Sequence, residues 1–249
     1  MKKDKMLLTK PQMAELVRFG RISDREIRSD LSLGLIVTEN DYTSNFTGAF
    51  RRNVNCYSRT GLSARSFLLT PQLERAGGID ATIIISDKTS SKIMFFEAKW
   101  PRFKLANYKW DYAQTAPGLS HFSDQLDRQS QLSPAYPVFE MFYVEFPFRK
   151  QPAFLLDQYS SCVWHDDAIA FRSGRSGPMS VWTQKDCEDL IKNASCDIGV
   201  ILESVAACRR GQPINSNKPE EIIRELHLEG NILAISGGRP EGVEPVTLQ

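Results

Sequence analysis

Cysteine is scarce and shows no pairing pattern. The chain holds five, an odd number, and no two stand in a CxxC spacing. That argues against a disulfide framework or a structural zinc site and predicts reduced thiols in a cytosolic protein. Long hydrophobic runs are also missing. Nothing reaches the ~18 apolar residues of a membrane span, and the opening Met1-Lys2-Lys3-Asp4-Lys5-Met6 has charge but no apolar stretch for a secretory signal. No G-x-S-x-G occurs, so a serine nucleophile on an elbow is excluded. Gly174-Arg175-Ser176-Gly177-Pro178 lacks the lysine and helix of a phosphate loop and reads as a turn. His121, His165 and His227 are the only histidines, with none at ligand spacing to another. His165-Asp166-Asp167 reads as a polar turn between two short strands. No internal repeat is visible.

A strong excess of one charge is lacking too. The net charge is +1, low for a nucleic-acid binder, so any phosphate-binding charge must be local. It is unevenly spread. Lys99, Arg102, Lys104 and Lys109 interleave with Trp100, Phe103, Tyr108 and Trp110, and Arg51 and Arg52 lie upstream. Acidic residues thicken late, at Glu220, Glu221, Glu225 and Glu229. With 41% hydrophobic and 24% charged residues, the 249-residue chain has the composition of a globular protein with a sizeable core.

Periodicity predicts two helices over 10–34, the second capped by Ser23 and stopped by Gly34. A third spans 38–50, where Tyr42, Phe46, Ala49 and Phe50 share a face. Residues 66–69 read as a short strand. Residues 81–85 and 93–99 read as two hydrophobic strands joined by the turn chemistry of 86–91. Residues 101–119 read as a long loop, 121–132 as a helix opened by Ser120, and 138–146 as a strong strand closed by Pro147. Cys162-Val163-Trp164 and Ala168-Ile169-Ala170-Phe171 are short strands, 183–194 and 197–210 are helices, and 237–249 is a mobile tail. The result is one α/β domain over 1–236, its sheet covered on both sides.

The central strands carry the chemistry. Ile93-Met94-Phe95-Phe96 is apolar enough for a buried strand, yet it runs into Glu97-Ala98-Lys99. Side chains alternate along a strand, so Glu97 and Lys99 point to one face and Ala98 to the other. Buried charges must be solvated, paired or bound to something. If the two strands form a hairpin, Asp80 lies beside Glu97. Two carboxylates and an ammonium then share one strand end, which is equipment for a divalent cation and a phosphodiester. A surface salt bridge at a strand end is the alternative.

Asp80 followed by Glu97-Ala98-Lys99 at the end of a hydrophobic strand resembles the PD-(D/E)XK nuclease superfamily. The position before the aspartate is Ile79 and not proline. Glu39 at an upstream helix and Gln125 on the helix after the lysine strand match the superfamily in order. The resemblance spans about residues 36–146. It implies a restriction-endonuclease-like core with a central mixed sheet flanked by helices, followed by a C-terminal helical extension over 147–236. It implies Mg²⁺, or Mn²⁺ in its place, held by Asp80, Glu97 and the Ala98 carbonyl. Lys99 would orient the attacking water or, with a lowered pKa, help remove its proton. Glu39 would hold a metal-bound water or second ion, or else be the acid of a helix N-terminus. Gln125 would hold Lys99 or a phosphate, or else be a polar residue on a helix flank. Arg51, Arg52, Arg102, Lys104 and Lys109 are the candidate phosphate contacts, and the aromatic–basic loop either stacks on bases or packs on the core.

The expected activity is metal-dependent hydrolysis of DNA, in restriction, defence against foreign DNA or DNA processing. Homodimerisation or a partner protein would suit two-strand cutting. The alternatives are a ribonuclease, or a non-catalytic binding module on the same fold.

Overall fold

The computed structural model describes residues 6–68, 79–104, 110–111, 118–228 and 230–238. Lys109 and the expected tail beyond 238 lie outside the described residues. Helix α1 spans Lys10–Ser32 and α2 spans Glu39–Tyr57. Both open with a capping box, Thr9 with Gln12 and Thr38 with Asp41, which satisfies amide groups that the helix itself leaves unpaired. The expected break at Ser23 is absent. Its hydroxyl donates to the Phe19 carbonyl one turn back at 2.7 Å, so it serves the helix interior and caps nothing. Gly34 does end α1, with φ +76°.

Strand β1 (Leu62–Leu68) is followed by β2 (Ala81–Ser86) and β3 (Ser91–Lys99). The last two form the expected antiparallel hairpin, with Ala81 opposite Phe96. Asp87 shapes the turn by accepting from the amides of Thr89 at 2.6 Å and Ser90 at 2.7 Å. Every residue of β2 and β3 is buried, as expected for central strands covered on both faces. Then come α3 (His121–Gln129), capped by Ser120, and β4 (Val138–Phe142), which pairs parallel to β3. Beyond Phe142 the chain leaves the expected strand, because Arg28 takes the carbonyls of Val144 and Phe146.

The remainder departs further from expectation. Strand β5 (Ser161–Trp164) leads directly into α4 (His165–Ser173), so the expected strand at 168–171 is helical. Asp166 and Asp167 favour that helix start, and Ala168 faces the core. Helix α5 (Gln184–Ala194), β6 (Ser195–Cys196), α6 (Ile198–Ala206) and α7 (Pro219–Glu225) follow. The last strand, β7 (Asn231–Gly237), inserts between β1 and β2, parallel to β2. The C-terminal segment is therefore not a helical appendage. It supplies an interior strand, and residues 36–146 do not close the sheet alone.

The sheet has seven strands in the order β1-β7-β2-β3-β4-β5-β6, mixed in direction. Alternate residues feed opposite cores. Ile83, Met94, Phe96 and Met141 pack with α1, α2 and α6, while Phe142 and Val163 pack with α3, α4 and α5. No helix among the described residues is long and apolar enough to cross a membrane.

Candidate active site

The site forms where β3 ends. Asp80 precedes β2 and its Oδ2 accepts from the Ala98 amide at 2.7 Å, which brings the carboxylate to the strand that carries Glu97. Lys99 and Glu97, two residues apart on one face, meet at 2.8 Å. The Lys99 ammonium also donates to Gln125 Oε1 on α3, and it lies 5.8 Å from the centre of the Phe122 ring. Glu39, in the first turn of α2, accepts from the Trp100 amide at 2.8 Å and joins the helix start to the strand end. The hairpin and the two helices thus bring Glu39, Glu97 and Lys99 to one cleft of about 400 Å³, with Asp80 and Gln125 joined to it through the Ala98 amide and the Lys99 ammonium. Its lining adds Thr38, Asn40, Trp110, His121 and Phe122.

Charge decides how this cluster behaves. Burial and then the Glu97 charge push the Asp80 carboxyl well above the usual range, against the pull of Lys99. Burial pushes Glu97 up as well, and Lys99 and Gln125 offset part of that. Burial alone would lower the pKa of Lys99, but Glu97, Glu39, Glu140 and Asp80 outweigh it and hold the ammonium above its ordinary range. In the metal-free site this runs opposite to the lowered pKa expected of a lysine that takes a proton. Bonded to the Glu97 carboxyl and close to Glu39, Lys99 is held as a cation in the metal-free site.

Glu140 is the site residue that sequence reasoning missed. It lies opposite Glu97 in the β3–β4 register and is fully buried. No ion pair among the described residues neutralises it, and the Gln129 amide is the polar side chain that favours its charged form. Burial raises its pKa to about 8, so it is mostly protonated at neutral pH. His165 Nδ1 stands 4.0 Å away, and burial lowers the pKa of that imidazole. The contact is therefore polar and not an ion pair at pH 7. An acid in the middle of Val138-Phe139-Glu140-Met141-Phe142 was the available signal, because an unpaired carboxylate is costly inside an apolar strand.

Glu140→Gln is expected to flatten the pH dependence of stability. The native carboxyl binds its proton more tightly than the ordinary value of 4.5 implies, about 8 against 4.5. The stability from this group is complete below pH ~4.5 and is lost as pH rises through ~8, on the order of 5 kcal/mol in all. Glutamine has no such loss. Denaturation midpoints of both proteins between pH 5 and 9 check this, and parallel curves would sink it.

The expected phosphate contacts separate. Arg102 lines the cleft and stacks over Trp100 at 4.2 Å. Lys104 is close by, its ammonium donating to the Glu145 carbonyl at 2.7 Å. Arg51 and Arg52 lie about three turns along α2 from Glu39, roughly 18 Å down the axis, and are not cleft residues. His165-Asp166-Asp167 opens α4 and does not form a turn. Glu145, also missed, ties the strand exit together by accepting from Trp100 Nε1 at 3.0 Å and the Lys104 amide at 2.6 Å.

In kind, Glu39, Asp80 and Glu97 suit Mg²⁺ or Mn²⁺, being hard anionic oxygen donors, and the Ala98 carbonyl lies between two of the site residues. Carboxyls raised by burial beside like charge are what a divalent cation relieves. No group of three or more His, Cys, Asp or Glu side chains is arranged to hold a metal among the described residues. Glu97 is turned onto Lys99, and Asp80 onto the Ala98 amide. Comparison with models of known protein families, with characterised proteins and with solved structures finds no match to this chain.

Proposed function

We propose that this protein is a metal-dependent nuclease that hydrolyses DNA phosphodiester bonds, acting in restriction, defence against foreign DNA or DNA processing. One observation carries the reading. Glu39 and Glu97 line an open strand end together with a single ammonium, Lys99, and the Asp80 carboxyl is bonded to the Ala98 amide between them. A purely structural ion pair needs one carboxylate per ammonium. Burial and like charge raise the Asp80 and Glu97 carboxyls, a bound divalent cation would relieve both, and hydrolysing a phosphodiester needs one.

A bound Mg²⁺ would supply Lewis acidity and a more acidic water. The remaining roles belong to the chain. Lys99 is held between Glu97 and Gln125, so its ammonium is oriented before substrate arrives. As a permanent cation it stabilises charge that builds on the phosphoryl oxygens during in-line attack by water. Water forms the new P–O bond and gives up a proton to solvent, the ester P–O bond breaks, and the departing oxygen keeps the electron pair and takes a proton from solvent to become the alcohol. Glu39 positions the strand end through the Trp100 amide. Arg102 faces the same cleft and attracts phosphate.

The Glu97–Lys99 and Asp80–Ala98 bonds favour a second reading, because a non-catalytic binding module would keep both permanently. Purified protein incubated with supercoiled plasmid, single-stranded DNA and RNA separates the readings. The nuclease is expected to nick or linearise DNA with Mg²⁺ or Mn²⁺ and to stop with EDTA. Cleavage of RNA alone would move the reading to a ribonuclease. Binding without cleavage, unchanged by Asp80→Asn, would favour the module.

A further inference from the structure

His121 lines the cleft with Glu97, Lys99 and Arg102, and the roles assigned so far do not use it. It is the first residue of α3 and is half-buried. Among the described residues neither of its ring nitrogens has a hydrogen bond or an ion pair. His165 differs, since its nitrogens lie 3.0 Å from Ser130 Oγ and 3.2 Å from Gln129 Oε1. Gln125, which accepts from the Lys99 ammonium, lies one turn further along α3. Residues four apart share a helix face, with Cβ atoms about 5–6 Å apart. His121 therefore stands one helical turn from the Lys99 contact, on the same face and in the same cleft.

Hydrolysis requires the attacking water to lose a proton, and the other groups of the site are engaged. Lys99 is held as a cation in the metal-free site. Glu97 accepts from Lys99, Asp80 from the Ala98 amide and Glu39 from the Trp100 amide. A divalent cation drawn to these carboxylates would make them weaker bases still. His121 has a lone pair to offer. Burial, then the Lys99 and Arg128 charges, lower its pKa from the ordinary 6.5, against the opposing pull of Asp111 and Asp124. Glu39, Glu97 and Arg102 are the other charges of the cleft. A helix N-terminus also disfavours a cation at its first residue. The ring is thus mostly neutral at pH 7, the form that accepts a proton.

We propose that His121 is the general base of this site, taking a proton from the water that attacks the phosphodiester. The water oxygen forms the new P–O bond as its proton moves to the imidazole, and the imidazolium then releases that proton to solvent. The ester P–O bond breaks, and the departing oxygen keeps the electron pair and takes a proton from solvent. The two side chains divide the work. Lys99 stabilises charge as a permanent cation, and His121 moves a proton as a neutral ring. This role rests on the nuclease reading for its reaction.

Full-length wild type, His121→Asn and His121→Ala would be compared on plasmid DNA in Mg²⁺ across a range of pH, with circular dichroism to verify folding. His121→Asn is expected to lower the cleavage rate by about 10²–10⁴-fold, the usual effect of losing a general base, with duplex affinity by anisotropy unchanged. The wild-type rate should level off above the imidazole pKa. The variant's rate should keep climbing with pH, because hydroxide must replace the base. Added imidazole should raise the His121→Ala rate by at least about tenfold and leave the wild type unaffected. A second readout needs no cleavage. The imidazole is followed by NMR in Mg²⁺ with and without thymidine 5′-monophosphate, its signal identified by its absence from His121→Asn. A phosphate beside the ring should raise its pKa by roughly half a unit.

A wild type that cleaves while His121→Asn keeps its rate to within about threefold overturns the proposal and leaves the nuclease reading standing. So does an imidazole pKa that the nucleotide does not move. Lost activity with an unaltered pH profile and no rescue by imidazole marks a packing role and overturns it as well. A wild type that cleaves no substrate removes the nuclease reading, and this base with it.

Discussion

Lys99→Ala is expected to lower DNA cleavage by about 10²–10³-fold, the usual effect of removing one preorganised donor to a transition state. The site holds this ammonium between Glu97 and Gln125 and surrounds it with carboxylates that keep it protonated. Its charge is then available without reorganisation when negative charge develops on phosphorus-bound oxygens. The variant should remain folded. Asp80 and Glu97 already have raised pKa values, so they can take up protons in place of the lost cation. The measurement is the initial rate of plasmid nicking in Mg²⁺ beside the circular dichroism of both proteins. A folded variant that cuts at the wild-type rate would remove Lys99 from the mechanism. Loss confined to binding, with the turnover rate unchanged, would make it a substrate contact only.

Arg28→Ala is expected to destabilise the fold by about 3–5 kcal/mol, the range for breaking a buried charge interaction on one side. Arg28 is fully buried and donates to three main-chain carbonyls: Tyr159 at 2.8 Å, Val144 at 3.2 Å and Phe146 at 3.4 Å. It also lowers the pKa of buried Asp24, which burial otherwise pushes up. Asp24 accepts from Tyr42 at 2.7 Å and from the Ser160 amide at 2.7 Å. Alanine would leave three carbonyls and this acid without their cation. Thermal unfolding should show a midpoint roughly 6–20 °C lower, at about 2–4 °C per kcal/mol for a chain of this size. Lysine should rescue little, since one ammonium cannot present a planar fork to acceptors on separate segments. A midpoint within about 2 °C of wild type would mean that water replaces the guanidinium at little cost.

The candidate site was legible where its geometry is local. Glu97 and Lys99 share a face because strand side chains alternate, and Asp80 reaches them because the intervening turn closes a hairpin. Thr38, Ser120 and Thr183 were readable as helix starts for the same reason, since a cap is satisfied within three residues. Gln125 was placed by order of elements alone, and contact with Lys99 required α3 to pack beside β3. Glu140 escaped because an acid in an apolar strand shows no partner until the neighbouring strand is known. Strand β7 escaped although Ile232-Leu233-Ala234-Ile235 is a plain apolar run, because its partners β1 and β2 lie far earlier in the chain. Residues 168–171 were misread because four alternating residues carry too little periodicity to separate strand from helix.

What the sequence by itself determined is short-range: capped helices, a buried hairpin with acids and a lysine at one end, and an α/β class. These follow from dihedral preferences, alternation and hydrogen bonds within a few residues. Tertiary structure alone decided that β7 lies between β1 and β2, and that Arg28 holds the chain after β4. It also decided that Lys99 meets Gln125 from α3 and that Glu140 lies buried opposite Glu97. Those depend on pairings between residues far apart in the chain, and on the loss of water around buried charge, which magnifies interactions that a solvated sequence would hide.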